Sequence, residues 1–446
     1  MTPLAAPALS EMGMVLCALS ILLIPFAIAG LSLINTGLGR SRSAAHLMMS
    51  SLCVVAVAAL TYFVCGFAWQ GIAGYPSHVL TVGGRKWSWI ATMPLFFRGV
   101  GPKDFVAPLI AWTEVFSVGL AALIPLGSGS DRWRLGASCI STILLAGWTY
   151  PLFAHWVWGG GWLAQLGVNY GLGHGFVDAG GSSSIQAVGG LTALAIAWIL
   201  GARKGKYSPN SLPTAIPGHN AVYVLFGCLL ALVGWLGLNS AGAILFTGAE
   251  PSRVPMIAIN TILAAAAAAL SAVVITRARF GKPDASLSAN SWVGGLVASS
   301  AGCAFITAEA AVVTGIITGA LVVFAVQWFD LRLVADDPGG AISVHAVGGI
   351  WGVVALGLFA HFAGQTVNGV TSSSPAPSGQ WLAQLVGVAT LLGFILPMTY
   401  GLNWVVDCIY PQRVAVEGEM QGMDLFELGA GAYPEFVTHS EDFVER

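Results

Sequence analysis

Two segments of the 446-residue chain repeat each other, and each delivers one polar side chain into an apolar run. The first runs from Asp178 through Gly180, Gly181, Ser184 and Gln186 to Gly190; the second runs from Asp337 through Gly339, Gly340, Ser343 and His345 to Gly349. In register, aspartate meets aspartate, the glycines and serines match, and Gln186 falls opposite His345. An aspartate just ahead of a helix caps free N–H groups and suits the positive end of the helix dipole. Paired glycines let a second helix approach closely. Each site residue follows its aspartate by eight positions, roughly 12 Å along a helix at 1.5 Å per residue. Entering an apolar layer from opposite faces, the two meet near its middle. An imidazole there accepts on one nitrogen and donates from the other, whereas a glutamine amide hydrogen-bonds without titrating. A polar group at such depth marks function by default. A histidine that only ties two helices together is the plainer alternative, but placement in a matched repeat favours a pore-lining pair, Gln186 with His345.

Two further side chains carry chemistry. Glu114 is a carboxylate inside the apolar run 105–126. Trp158 closes the run that begins at 135, where an indole face attracts a small cation as water is stripped away. Tryptophan also anchors helices at membrane interfaces, which is the alternative reading of this position.

The elements that hold these residues are membrane helices. Of the chain, 56% is apolar and 9% charged, against about 25% charged in soluble domains, so lipid must solvate part of the surface. Lys and Arg, at 18, nearly balance Asp and Glu, at 20, so no basic face points to nucleic acid. The 57 glycines are scattered through apolar runs, and the seven cysteines show no CxxC pair, so no metal site or disulfide framework is expected. No cofactor is implied. The start of the chain lacks the basic flank of a cleavable signal peptide.

A span needs about 20 apolar residues. Eleven candidates run near 11–35, 46–69, 105–126, 135–156, 181–200, 220–246, 255–276, 289–308, 311–331, 342–361 and 381–405. The predicted fold is an all-α membrane protein of eleven transmembrane helices. The repeats open the fifth and tenth spans, and five is odd, so the second copy enters from the opposite side as an inverted-topology five-helix repeat. With the N-terminus outside, Arg40, Arg42, Arg132, Arg134, Arg203, Lys204, Lys206, Arg277, Arg279, Lys282, Arg332, Arg413 and Arg446 lie inside. Only Arg85, Lys86, Arg98, Lys103 and Arg253 remain outside, so the positive-inside rule puts the C-terminus in the cytoplasm of an inner-membrane protein. The chain divides into a transmembrane domain, 1–405, and a cytoplasmic tail, 406–446. The tail holds Glu417, Glu419, Asp424, Glu427, Glu435, Glu441, Asp442 and Glu445. On composition alone it also reads as a solubilising end.

Several stretches in order resemble the ammonium transporter (Amt/Rh) family. Phe153-Ala-His-Trp-Val-Trp-Gly-Gly-Gly-Trp-Leu163 is similar to its fourth-span signature and Gly234-Trp-Leu-Gly-Leu-Asn239 to its sixth. The block from Asp337 to Gly349 resembles the tenth span, and the run from Gln421 to Pro434 resembles the regulatory tail. The resemblance implies no enzyme but a homotrimer with a hydrophobic pore in each protomer, an external recruitment site, an aromatic gate and two central histidines. It assigns Trp158 to recruitment, Trp112 and Phe116 to the gate, and His345 to the second pore histidine. It further implies that the tail couples protomers and offers a docking place to a PII-type regulator.

The departures from the family are specific. Gln186 stands for the first histidine, Leu238 for the second gate phenylalanine and Gly242 for the recruitment serine. Glu114 adds a carboxylate beside the gate, and 169–176 is an extra segment of the loop after the fourth span. The leading function is passage of ammonium, ammonia or a small amine, with Trp158 and Glu114 collecting the cation. The alternatives are an ammonium-binding receptor that signals through its tail, and a transporter with a changed small-molecule substrate.

Overall fold

The computed structural model describes residues 9–101, 105–208 and 212–433. Long helices dominate: α1 Glu11–Leu38, α2 Ser41–Gln70, α3 Val106–Gly129, α4 Leu135–Val157, α5 Ser182–Leu200, α6 Ala221–Thr247, α7 Pro251–Phe280, α8 Ala285–Gly302, α9 Ala308–Leu331, α10 Ile342–Phe359 and α11 Gln380–Ile409. Their ends follow from local chemistry. Ser10, Asn220, Asp284 and Thr307 accept from backbone N–H groups at the starts of α1, α6, α8 and α9. Left-handed Gly248 and Gly281 stop α6 and α7, as glycine readily does.

Among the described residues, ten helices are long and apolar enough to cross a membrane, one fewer than the eleven spans expected. The difference is α8, which meets the eighth expected span. It is rich in serine, alanine and glycine and is almost wholly buried from Ala289 to Gly302, so protein rather than lipid surrounds it. The other expected spans coincide with helices to within a few residues. The last one overshoots: α11 continues to Ile409, beyond the expected domain boundary at 405. Mostly helical and multi-pass, the chain is an all-α membrane protein.

The repeat has a structural counterpart. Both copies open with a wide helical turn, 182–187 in α5 and 342–347 in α10, each preceded by a left-handed glycine, Gly181 and Gly340. Such wide turns often mark functional positions. The two helices cross at Gly190 and Gly349. A side chain on Gly190 would strike the backbone of Ala346, and one on Gly349 would strike the carbonyl of Ser182. This reciprocity is what a two-fold relation between the copies requires.

A hairpin of β1 Ser77–Val82 and β2 Arg85–Ala91 covers the Trp158 end of the bundle, and a smaller one, β3 Thr366–Val367 with β4 Val370–Thr371, lies in the loop between α10 and α11. At the Asp337 end, buried charges join the loops. Arg203 grips both carboxylate oxygens of Asp336 at 2.8 and 3.0 Å and reaches Asp131 at 3.0 Å. Arg132 donates to the Asp336 carbonyl at 2.8 Å. Burial alone would push the Asp336 carboxyl up, but the hydrogen bonds from Arg203 and the charges of Arg132 and Arg203 hold it at about 2.

The tail closes over this end. Asp424 accepts from the N–H groups of Ala45 and His46 at the start of α2. Glu427 meets His46 at 2.8 Å and the Leu135 N–H at 2.9 Å. Glu419 pairs with Arg413 at 2.7 Å and accepts from the Lys204 N–H at 2.6 Å. The expectations placed on Lys103, Pro434, Glu435, Glu441, Asp442, Glu445 and Arg446 lie outside the described residues.

Candidate functional site: a central pair and an outer aromatic stack

The crossing of α5 and α10 brings Gln186 and His345 together. His345 Nδ1 donates to Gln186 Oε1 at 2.7 Å, since an amide oxygen only accepts. This bond fixes the tautomer and leaves His345 Nε2 as a lone-pair acceptor. Gln186 is wholly buried and its Nε2 has no partner among the described residues, while His345 keeps 5% of its surface accessible. The bonded pair therefore carries one acceptor, His345 Nε2, and the two N–H donors of Gln186 Nε2.

The two aspartates hold the wide turns that aim these residues. Asp178 accepts from the N–H groups of Gly181, Ser182, Ser183 and Ser184 and from the hydroxyls of Ser183 and Ser184. Asp337 accepts from Ala341, Ile342 and the Ser128 hydroxyl, the last at 2.6 Å. Both are buried.

At the Asp178 end, Trp158 donates its indole N–H to the Asp178 carbonyl at 2.7 Å. Phe246 stacks on the indole with ring centroids 4.2 Å apart and planes 8° from parallel. Leu238, Gly242 and Phe246 are spaced four residues apart on α6 and so share one face. A side chain at Gly242 would collide with the Ala179 carbonyl, so the glycine lets α6 press against the turn that carries Asp178.

Two expected assignments sit apart from this stack. Glu114 is completely buried, accepts from Tyr150 at 2.5 Å and lies in a cluster with Tyr62 and Gln70, the latter two bonded at 2.8 Å. The carboxylate is enclosed between α2, α3 and α4, and among the described residues no hydrogen bond joins it to Trp158. The expected gate aromatics, Trp112 and Phe116, lie on α3 one turn apart. The fully buried stripe of α3 passes through Ile110, Thr113, Glu114 and Ser117, and the two aromatics sit half-buried beside it. Among the described residues neither makes a ring contact, whereas Phe246 does.

Phe246 carries no sequence expectation; its position one turn beyond Gly242 on the Leu238 face is the signal that finds it. His155 is a second omission, a buried imidazole bonded to the Gln70 carbonyl at 2.7 Å and the Ser88 hydroxyl at 3.0 Å. The segment 169–176 is held by Gln380, which accepts from the His174 N–H, and by Asn368, which donates to the carbonyls of His174 and Phe176.

A multi-pass helical bundle with an inverted repeat and a polar pair at its crossing point defines a membrane transport protein rather than an enzyme. The profile of the Ammonium Transporter Family matches residues 14–433, and the chain belongs to that family. It is 36% identical to the ammonium transporter Amt2 of Archaeoglobus fulgidus over 430 residues, covering 93% of this chain and 86% of the relative. It is 29% identical to the ammonium transporter of Bacillus subtilis, covering 94% and 97%. Its fold matches the structure of a sensor Amt protein with a TM-score of 0.82 at 24% identity, covering 94% and 98%. Mep2 of Candida albicans matches with a TM-score of 0.78 at 23% identity, covering 96% and 93%.

Proposed function

We propose that each chain conducts ammonia derived from external ammonium, and that Gln186 and His345 form its central relay of hydrogen bonds. The observation that carries this is the 2.7 Å bond from His345 Nδ1 to Gln186 Oε1, which sets an acceptor beside unpartnered amide donors. Ammonia accepts with its lone pair and donates from N–H, so Gln186 Nε2 and His345 Nε2 complement it. Ammonium has no lone pair to offer the amide. A bare charge in an apolar pore also costs several kcal/mol, on the order of the penalty for any unpaired buried charge. Ammonium therefore leaves its proton in the water at the Trp158 end, and the neutral molecule passes. The amide of Gln186 does not titrate, so two imidazoles passing a proton have no equivalent here, and little charge follows.

Trp158 collects the cation through its ring face. The chain sits in the inner membrane with the Trp158 end outside and the tail in the cytoplasm, the orientation favoured by Arg40, Arg132, Arg203 and Arg413 gathering at the Asp337 end. It assembles as a homotrimer, and its docked tail regulates the pore and receives a PII-type protein. Native mass measurement in detergent is expected to give three chains; monomers alone would remove the trimer.

Proteoliposomes given an ammonium gradient test the transport step. Internal alkalinisation without a matching current is expected. A current that saturates with ammonium and no alkalinisation would overturn neutral passage, and neither signal would favour the receptor reading.

A further inference from the structure

The outer aromatic stack covers a face of the indole on which Trp158 would hold a cation. A cation against an indole needs a free ring face, with its centre within about 6 Å of the ring centroid. Held between two rings, it needs them parted to roughly 7 Å, twice an ordinary non-bonded contact. The Trp158 and Phe246 centroids lie 4.2 Å apart and nearly parallel. The indole cannot turn aside, because its N–H is bonded to the Asp178 carbonyl at 2.7 Å, and only 8% of Trp158 is exposed. Phe246 is freer: it is half-buried, one residue from the end of α6. Leu238, on the same face, supplies no ring to the inner pore, so the ring on this face of α6 is two turns further out, on Trp158 itself.

We propose that Phe246 is an outer gate that sets the apparent affinity for ammonium and alkylammonium cations. In the closed state its ring occupies the Trp158 face; entry of a cation requires Phe246 to swing away while Trp158 stays fixed by Asp178. The inference rests on cation collection at Trp158, proposed above, and adds the residue that controls it. Removing the ring removes the competitor, so the cation binds more tightly by about the worth of one aromatic pair, two- to tenfold.

The test uses the full-length protein labelled with 5-fluorotryptophan, its Trp158 resonance assigned by its loss in Trp158→Phe. Methylammonium is titrated while the fluorine resonance is followed, and methylammonium uptake is measured in proteoliposomes from the same preparation. Phe246→Leu, which keeps apolar bulk, and Phe246→Ala are expected to lower the half-saturation concentration two- to tenfold. Phe246→Tyr, which keeps the ring, is expected to stay with the wild type. Half-saturation within twofold in all four proteins would overturn the gate, as would Phe246→Tyr shifting as far as Phe246→Leu. If the wild type takes up no methylammonium but the order of half-saturation values holds, the gate stands and the transport reading fails. If uptake is normal and the order is absent, the gate alone fails.

Discussion

Replacing Gln186 by leucine separates the central hydrogen bond from the packing around it. The change keeps apolar bulk but removes the Oε1 that His345 Nδ1 reaches at 2.7 Å, together with the unpartnered Nε2. A buried donor left without its acceptor costs about 1–3 kcal/mol. The fixed tautomer of His345 loses that preference, about five- to 150-fold in the tautomer ratio at tenfold per 1.4 kcal/mol. Loss of the orphaned amide offsets much of the penalty in stability, so the net change in folding is expected within about 1 kcal/mol. The alkalinisation rate and the melting temperature, taken on one preparation, should part: the rate falls more than twofold as the acceptor tautomer is depopulated and the amide donor is lost, and melting barely moves. Gln186→His supplies a nitrogen acceptor for the same Nδ1 and adds a titratable group, so it should keep alkalinisation and gain current. A Gln186→Leu rate within twofold of wild type, or a Gln186→His current no larger than wild type, would refute the relay.

The aspartate caps should rank by their bonds. Asp178→Ala strands four N–H groups and two hydroxyls, whereas Asp337→Ala strands two N–H groups and one hydroxyl. At about 1–3 kcal/mol per buried orphan, Asp178→Ala should lower the yield of folded protein further, and equal yields by size exclusion would contradict this. Asp336 is lowered from 3.8 to about 2 against burial by Arg203 and Arg132, so it contributes about 2 kcal/mol above its unfolded pKa, lost as pH falls from about 4 towards 2. Asp336→Asn should flatten the acid limb of melting temperature against pH; an unchanged slope would show that the pairing does not act on folding. Glu114→Gln keeps an acceptor for Tyr150 and should cost under about 1 kcal/mol. Glu114→Ala strands the Tyr150 hydroxyl and opens a void, costing about 2–5 kcal/mol. Comparable melting in the two variants would deny the buried cluster a structural role.

The one-dimensional pattern was enough to read the helices, because lipid demands long apolar runs and leaves their ends marked by polar caps. It also paired Gln186 with His345, since an inverted repeat keeps equivalent positions in register whatever the loops do. A helix does stand at span 8, but the pattern of α8 does not reveal that its neighbours, not lipid, surround its serines and glycines. The rotation of α3 was not legible either. Trp112, Glu114 and Phe116 all read as pore candidates, and only the contacts of Tyr150, Tyr62 and Gln70 placed Glu114 in a separate cluster. The sequence places Phe246 on the Leu238 face, but its stack depended on tertiary structure: the ring lies 88 positions from Trp158 in sequence, and the press of Gly242 against Ala179 brings the two together. Sequence spacing fixes which residues share a face of one helix; which face meets which partner is decided when the helices pack.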